Sequence, residues 1–290
     1  MPTIFLIDAS PYIFRAYFSL PTTIQSPDGK SVNAVYGFTE FLLQILKKEQ
    51  ATHIAVAFDG SLTTSFRNEI YPQYKANRDL PPPELEAQLD ACFRVTEALG
   101  VSAYIDDRYE ADDIIATLAQ AIHQDGYEIT VVSGDKDLAQ LVNERITFWD
   151  FAQNRRYDIQ GVKEKFQVLP EQIIDLLALM GDSVDNIPGV KGIGRKSAVS
   201  LLRYYRDIED IYNNIEALTN LPIRGVASMK RKLLENREMA FLSKRLAALA
   251  PDAPIECDIE KMAYLGPRWK TLDPLFSELG FDGIKERVPK

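Results

Sequence analysis

Short apolar runs that break off at Asp or Gly, separated by stretches of helical periodicity, constrain this 290-residue chain more than any other feature. Residues 3–7 run into Asp8, residues 53–58 into Asp59, and residues 128–132 into Ser133-Gly134-Asp135; residues 101–105 and 145–151 share the same β-type character. Between them, residues 34–47, 84–99 and 111–124 carry apolar side chains at helical spacing, with Gly100 and Gly126 placed as C-terminal stops. Such alternation predicts an α/β fold with a mostly parallel sheet flanked by helices. Ligand sites in sheets of this kind form beyond the carboxyl ends of the strands. Asp8, Asp59, Asp135 and Asp137 all fall there.

After residue 170 the pattern changes to helices and turns, with no convincing strand before the tail. Residues 171–180 read as a helix, 186–194 as a Gly/Pro-rich turn and 196–205 as a basic helix. The expected organisation is therefore residues 1–170 as an α/β part and 171–290 as a helical part packed onto it without a linker. Pro81-Pro82-Pro83 interrupts two helical patterns, 64–76 and 84–99. The sequence holds no repeat and no low-complexity segment.

Composition removes several function classes. No apolar run approaches the ~20 residues needed to cross a bilayer, and the N-terminus carries Asp8 where a signal peptide would be apolar. Cys92 and Cys257 are the two cysteines and His53 and His123 the two histidines, so a histidine-rich zinc site or a Ser-His-Asp triad has no material. A reducing, cytoplasmic setting, no membrane and a monomeric state are the expectations. The net charge of −9 argues against a nucleic-acid partner only as a whole-chain sum. Between Asn186 and Arg245 twelve Lys and Arg face six Asp and Glu, and such local patches govern phosphate binding.

The acidic residues are concentrated at element ends. Glu110-Ala-Asp112-Asp113 opens a helix, with Glu110 and Asp113 spaced to share a face. Asp135-Lys-Asp137 follows a strand, Asp182-Ser-Val-Asp185 repeats the i, i+3 spacing, and Asp8 and Asp59 end strands. Any single pair is explained equally well by capping and solvation. Five stations together would repel one another unless cations stood among them. Hard oxygen donors suit Mg2+ or Mn2+, and two such ions can activate water and relieve charge on a phosphodiester. The set speaks for metal without naming a substrate.

Two further elements are basic. Gly189, Gly192 and Gly194 precede a helix that begins with Arg195 and Lys196. Glycines there allow positive φ and let backbone N–H groups meet a phosphate at a helix N-terminus. A plain helix-joining turn is the alternative, but Gly-Val-Lys-Gly-Ile-Gly followed by basic residues matches a helix-hairpin-helix turn that grips DNA backbone. It lacks the spacing of a nucleotide-triphosphate loop. In the 64–76 pattern and just beyond, Arg67, Tyr71, Tyr74, Lys75 and Arg78 fall near one helical face, interleaving cations with aromatics as unpaired nucleotides require. A surface helix with half-buried tyrosines would look the same.

Taken in order, Ile7-Asp8 with Arg15-Ala-Tyr17, Phe58-Asp59, Phe66-Arg67, Tyr74-Lys75 with Arg78, Glu110-Ala-Asp-Asp113, Gly134-Asp-Lys-Asp137 and residues 177–194 cover nearly the whole chain. The set resembles the 5′-nuclease superfamily, and most closely the bacterial 5′–3′ exonuclease domain found at the N-terminus of DNA polymerase I. The resemblance implies a PIN-like core, a helical arch over residues 64–99, and a helix–three-turn–helix (helix-hairpin-helix) DNA-binding region whose turn lies near 183–205. It implies that Asp8, Asp59, Glu110, Asp112, Asp113, Asp135, Asp137, Asp182 and Asp185 hold two or more Mg2+ or Mn2+ ions. Lys75 and Arg78 would contact the scissile phosphate and Tyr74 a terminal base. Arg15, Arg67, Gly189, Gly192, Gly194, Arg195 and Lys196 would bind DNA, with K+ at the helix-hairpin-helix turn. Position 9 is Ala where the family has Gly, and no polymerase region follows, which implies a stand-alone nuclease or an isolated domain.

The implied activity is 5′–3′ exonuclease and 5′-flap endonuclease cutting of DNA, in replication and repair. A structure-specific DNA-binding protein is the alternative, and nine DNA-repelling carboxylates speak against it. An RNA-directed PIN-type nuclease would lack the glycine turn. A phosphatase with an aspartyl nucleophile would want Asp at position 10, where Ser10 stands.

Overall fold

The computed structural model describes residues 3–61 and 64–289. Residues 1, 2, 62, 63 and 290, which include the outer ends of the two expected parts, lie outside the described residues.

Among the described residues six strands form one sheet: β1 (Thr3–Asp8), β2 (His53–Asp59), β3 (Ser102–Asp106), β4 (Glu128–Val132), β5 (Ile146–Asp150) and β6 (Arg155–Tyr157), in the order β3-β2-β1-β4-β5-β6. The first five run parallel to their neighbours and β6 pairs antiparallel with β5. Each expected strand is present within a residue or so of its expected ends. The short, charged β6 carries no apolar alternation to announce it. Order reverses between β1 and β4, which pair in register at Ile7 and Val132, and sheets of this kind form their ligand crevice past the carboxyl ends at such a point.

Alternation along the strands separates two buried layers. Ile4 and Leu6 of β1, with Ala55 and Ala57 of β2, face one layer; Phe5 and Ile7, with Ile54, Val56 and Phe58, face the other. Helices α1 (Ser10–Ser19), α2 (Asn33–Lys48) and α4 (Pro83–Ala98) serve the second layer, through Phe38, Leu42 and Val95 among others. On the first layer lies α5 (Ala111–Gln124), with Ile114, Ile115 and Leu118 inward. Gly100 and Gly126, at φ 81° and 84°, end α4 and α5 as expected.

The first buried layer continues without a break into the helical part. After α6 (Ile159–Phe166), α7 (Ile173–Met180) and α8 (Arg195–Leu202) add Leu176, Leu177, Ala198 and Leu201 to it, and α11 (Arg237–Ala247) adds Ala240 and Leu246. Between them run α9 (Ile208–Asn213) and α10 (Val226–Glu235); α12 (Trp269–Leu279) and α13 (Asp282–Lys285) return to the second layer. In the tail Ala263 makes an isolated antiparallel bridge to His53.

The 64–76 pattern is a correction. Its helix, α3 (Phe66–Ile70), stops at Ile70, and the chain then passes through turns until α4 begins. Pro72 is the cause: a residue before proline is pushed out of the helical region, and Tyr71 sits at φ −146°, ψ 98°. The cation and aromatic side chains of this stretch therefore do not share a helical face. Residues 64–99 comprise α3, this turn-rich stretch and the long α4. The helix expected over 171–180 opens with a 3-10 turn, Pro170–Gln172, and the basic helix expected to reach residue 205 ends at Leu202.

Candidate active site at the carboxyl edge of the sheet

Asp8 and Asp59 end β1 and β2, and the backbone around them is arranged to receive their charge. Asp8 accepts from the Ser133 hydroxyl at 2.7 Å and from the Ser10 N–H at 3.2 Å. Asp59 accepts from the Ser10 hydroxyl at 2.5 Å and from the Ala111 N–H, at the start of α5, at 2.9 Å. Ser10 and Ser133 thus tie the start of α1 and the end of β4 to two carboxylates. Neither was singled out from sequence, where an isolated serine carries no signal.

Glu110, Asp112 and Asp113 stand at the N-terminus of α5. Asp113 is fully buried and gripped in parallel by Arg67, at 2.7 Å from each guanidinium nitrogen, and it also accepts from the N–H groups of Glu110 and Ala250. Four donors use its four acceptor sites. Asp113 is therefore a structural anchor in this arrangement rather than a free metal ligand. Arg67 is corrected with it. Its side chain is 2% exposed, also donates to the Leu246 and Ala248 carbonyls, and presents nothing to a nucleic acid.

The remaining carboxylates gather. Asp8 is pushed up to about 8 by burial and by the charges of Asp59 and Asp135. Burial, with Asp8 and Asp135 as neighbours, raises Asp112 well above the ordinary range. Burial raises Asp135, and Asp185 adds to it. Asp137 is pushed up to about 8 by burial and by Asp135. A cleft of about 220 Å³ opens between Asp135, Lys136, Asp137, Asp182 and Asp185. Asp135 thus links the Asp8–Asp59–Asp112 group to the Asp137–Asp182–Asp185 group.

Carboxylates pushed up by burial and by one another, with the neighbouring lysines offsetting this only in part, are the electrostatic signature of a place that takes a cation. Asp137 Oδ1 is buried with no hydrogen-bond partner among the described residues, and the donor set is hard oxygen throughout. This chemistry fits a divalent ion. Among the described residues no three such side chains converge into a ready-made cage, and lysine and arginine occupy several of the oxygens. Lys136 lies on Asp182, Lys75 on Glu110 at 2.8 Å, and Arg78 on Asp185.

Lys75, Arg78 and Tyr74 come from the turn-rich stretch. Lys75 reaches Glu110 and lies 3.9 Å from Asp185, so it stands between two carboxylate stations. Tyr74 is 3% exposed, its hydroxyl donating to Glu110 at 3.1 Å, and Lys75 lies 5.1 Å from its ring centre. A ring so enclosed does not offer a stacking platform; in this arrangement it supports Lys75.

The glycine turn divides. Gly189, at φ 65°, packs against Gly181, where an added Cβ would meet the Gly181 nitrogen at 2.3 Å, and its N–H donates to the Ser243 hydroxyl. Its N–H is spent inside the protein, contrary to the expectation of a phosphate contact. Gly192, at φ 82°, and Gly194, the N-cap of α8, are exposed. Arg195 is exposed, but its guanidinium donates to the Lys165 and Phe166 carbonyls at the end of α6. Lys191 and Lys196 are exposed, as is Arg15 on α1.

A sheet that brings acidic residues from separate parts of the chain to its switch point, joined through one core to a helical region with a glycine turn and exposed lysines, is the architecture of a 5′-nuclease. The chain belongs to the 5′–3′ exonuclease family: residues 3–167 match the family model for the 5′-3′ exonuclease N-terminal resolvase-like domain, and residues 168–270 match that for the 5′-3′ exonuclease C-terminal SAM fold. Among its relatives, the DNA polymerase I of Bacillus caldotenax is 44% identical over 98% of this chain, which spans 32% of that protein's length. The 5′-3′ exonuclease of Buchnera aphidicola (subsp. Schizaphis graminum) is 36% identical, over 96% of this chain and 97% of that protein. T5 5′-exonuclease with divalent zinc ions bound shares the fold at a TM-score of 0.71 and 23% identity, covering 96% of this chain and 98% of that one. The catalytic core of Rad2 in complex with DNA substrate does so at 0.62 and 14%, covering 99% and 91%.

Proposed function

We propose that this chain hydrolyses DNA phosphodiester bonds beside 5′ ends, nicks and flaps, as a 5′–3′ exonuclease and 5′-flap endonuclease that needs Mg2+ or Mn2+. The observation that carries this reading is the gathering of mutually repelling carboxylates at the switch point with Lys75 and Arg78 among them. The two exonuclease family models and the Buchnera 5′-3′ exonuclease support the exonuclease part of this reading, and the T5 exonuclease was seen with divalent ions. Asp8, Asp59, Glu110, Asp112, Asp135, Asp137, Asp182 and Asp185 would hold the ions. Bound there, divalent ions would supply a hydroxide nucleophile and charge relief on the phosphate.

The chain's own residues do the rest. Ser10 and Ser133 fix the rotamers of Asp8 and Asp59. Lys75 and Arg78 rest on Glu110 and Asp185 at the edge of the carboxylate group, where they would lend their charge to the scissile phosphate. Lys191, Lys196 and Arg15 offer charge to the duplex backbone without reading bases, and K+ binding at the turn would add to that grip. We propose a monomer acting in the cytoplasm. Among the described residues no helix is long and apolar enough to cross a membrane.

The test is to present 5′-flap, nicked and single-stranded DNA to the chain with Mg2+, with Mn2+ and with chelator. Cutting confined to the divalent-ion arms, with products that begin at the 5′ end or at the flap junction, is the expected outcome. Tight flap binding without cutting in any arm would overturn the reading and leave a DNA-binding module.

A further inference from the structure

Residues 71–78 lie against the loop 182–186 that follows α7, although more than a hundred positions separate them in the chain. The contact is reciprocal and aimed at backbone. The Lys75 N–H donates to the Asp185 carbonyl at 3.0 Å, the Asn77 side-chain amide to the Ser183 carbonyl at 2.8 Å, and the Asn186 side-chain amide to the Gln73 carbonyl at 2.6 Å. Each segment lends the other an asparagine. Both also bend where they meet: Lys75 and Asn186 hold φ of 53° and 55°, a left-handed conformation that a non-glycine residue keeps only where its surroundings over-determine it. Asn77 and Asn186 donate to carbonyls, not to the gathered carboxylates, so nothing in the proposed chemistry requires them.

We infer that Asn77 and Asn186 are positioning residues, a two-way latch that fixes the Lys75 stretch on the loop carrying Asp182 and Asp185. Two carbonyl-directed amides and one backbone N–H hold Lys75 in register with Asp185. The Lys75 ammonium can then exchange a carboxylate for a phosphate without its backbone moving. The inference rests on the reading of Lys75 as a cation for the reacting phosphate. Loosening the latch leaves every substrate-facing group present but misplaced, which costs rate far more than affinity.

Asn77→Leu removes the donor at nearly constant bulk, Asn77→Gln keeps it, and Asn186→Gly keeps the left-handed backbone while losing the amide. Asn77 is exposed, so the global unfolding midpoint should hold in its variants. Hydrogen exchange of the Lys75 amide, read in the full chain without DNA or added metal, should speed up about tenfold or more in Asn77→Leu and Asn186→Gly. The single-turnover rate on 5′-flap DNA at saturating enzyme should fall about 10- to 100-fold, with flap affinity in chelator changed less than about threefold and Asn77→Gln close to the parent. Unchanged exchange at Lys75 would overturn the latch. Faster exchange with a rate within threefold of the parent would overturn its positioning role. A parent chain that cuts no flap would sink the proposed function, while the exchange arm would still decide whether the latch exists.

Discussion

Arg67 shows how a single residue can be read correctly as a motif member and wrongly as to task. It neutralises Asp113 in the interior and joins α3, α5 and the end of α11. Removing one partner of a buried pair leaves the other charge stranded. Arg67→Met should therefore destabilise the chain by about 3–5 kcal/mol, measured by urea unfolding; a loss below about 1 kcal/mol would show that Asp113 finds other compensation. Lys75 is the opposite case, with its ammonium at the edge of the carboxylate group. Lys75→Ala should lower the single-turnover cleavage rate by ~10²–10³ while leaving affinity within a few-fold, because the charge matters most as the transition state forms. A rate within threefold of the parent would remove Lys75 from the site. The i, i+3 spacing of Glu110 and Asp113 was visible in the sequence, but the arginine that claims Asp113 lies 46 residues away, and no local pattern announces such a partner.

At the scale of elements, the sheet was the legible part. Its strands are apolar runs that end where Asp8 and Asp59 begin to bind hydrogen-bond donors, so pattern and chemistry change at the same residue. The stretch after α3 was not legible, because cations and aromatics at spacings of three and four mimic a helix that Pro72 forbids. The glycine turn was legible as a turn, but not in which of its groups face outward. Arg195 is engaged with α6 carbonyls, so the cations of this element not held by such bonds are Lys191 and Lys196. Replacing both with Ala should weaken duplex binding equally for all sequences. It should also flatten the log–log salt dependence by about 2, since each phosphate contact contributes roughly 0.9. An unchanged slope in a salt titration would mean that the turn faces away from DNA.

For the whole molecule, the concentration of acid at one edge sets a pH dependence. An Asp in the unfolded chain ionises around its ordinary 3.8, whereas Asp8 and Asp137 keep their protons in the fold up to about 8. Across that interval the folded state binds more protons, so the contribution of these groups to stability falls as pH rises and is fully unfavourable above it. Asp137→Asn, a neutral stand-in for the protonated acid, should match its parent near pH 4 and exceed it increasingly toward pH 8 in metal-free buffer. Adding Mg2+ at pH 8 should raise the parent's melting temperature more than the variant's. Equal melting curves at every pH would show that Asp137 is not under the strain described.

The unbroken buried layer from β1 through α7 to α8 has a mechanical meaning as well. A nuclease whose gripping turn and cutting edge share one core is a caliper with fixed jaws. For a chain that cuts as proposed, the span between the held phosphates and the severed bond belongs to the protein rather than to the DNA. Incision should then fall at one offset from the duplex whatever the base sequence, with the ruler built into the packing of Leu177 against its neighbours.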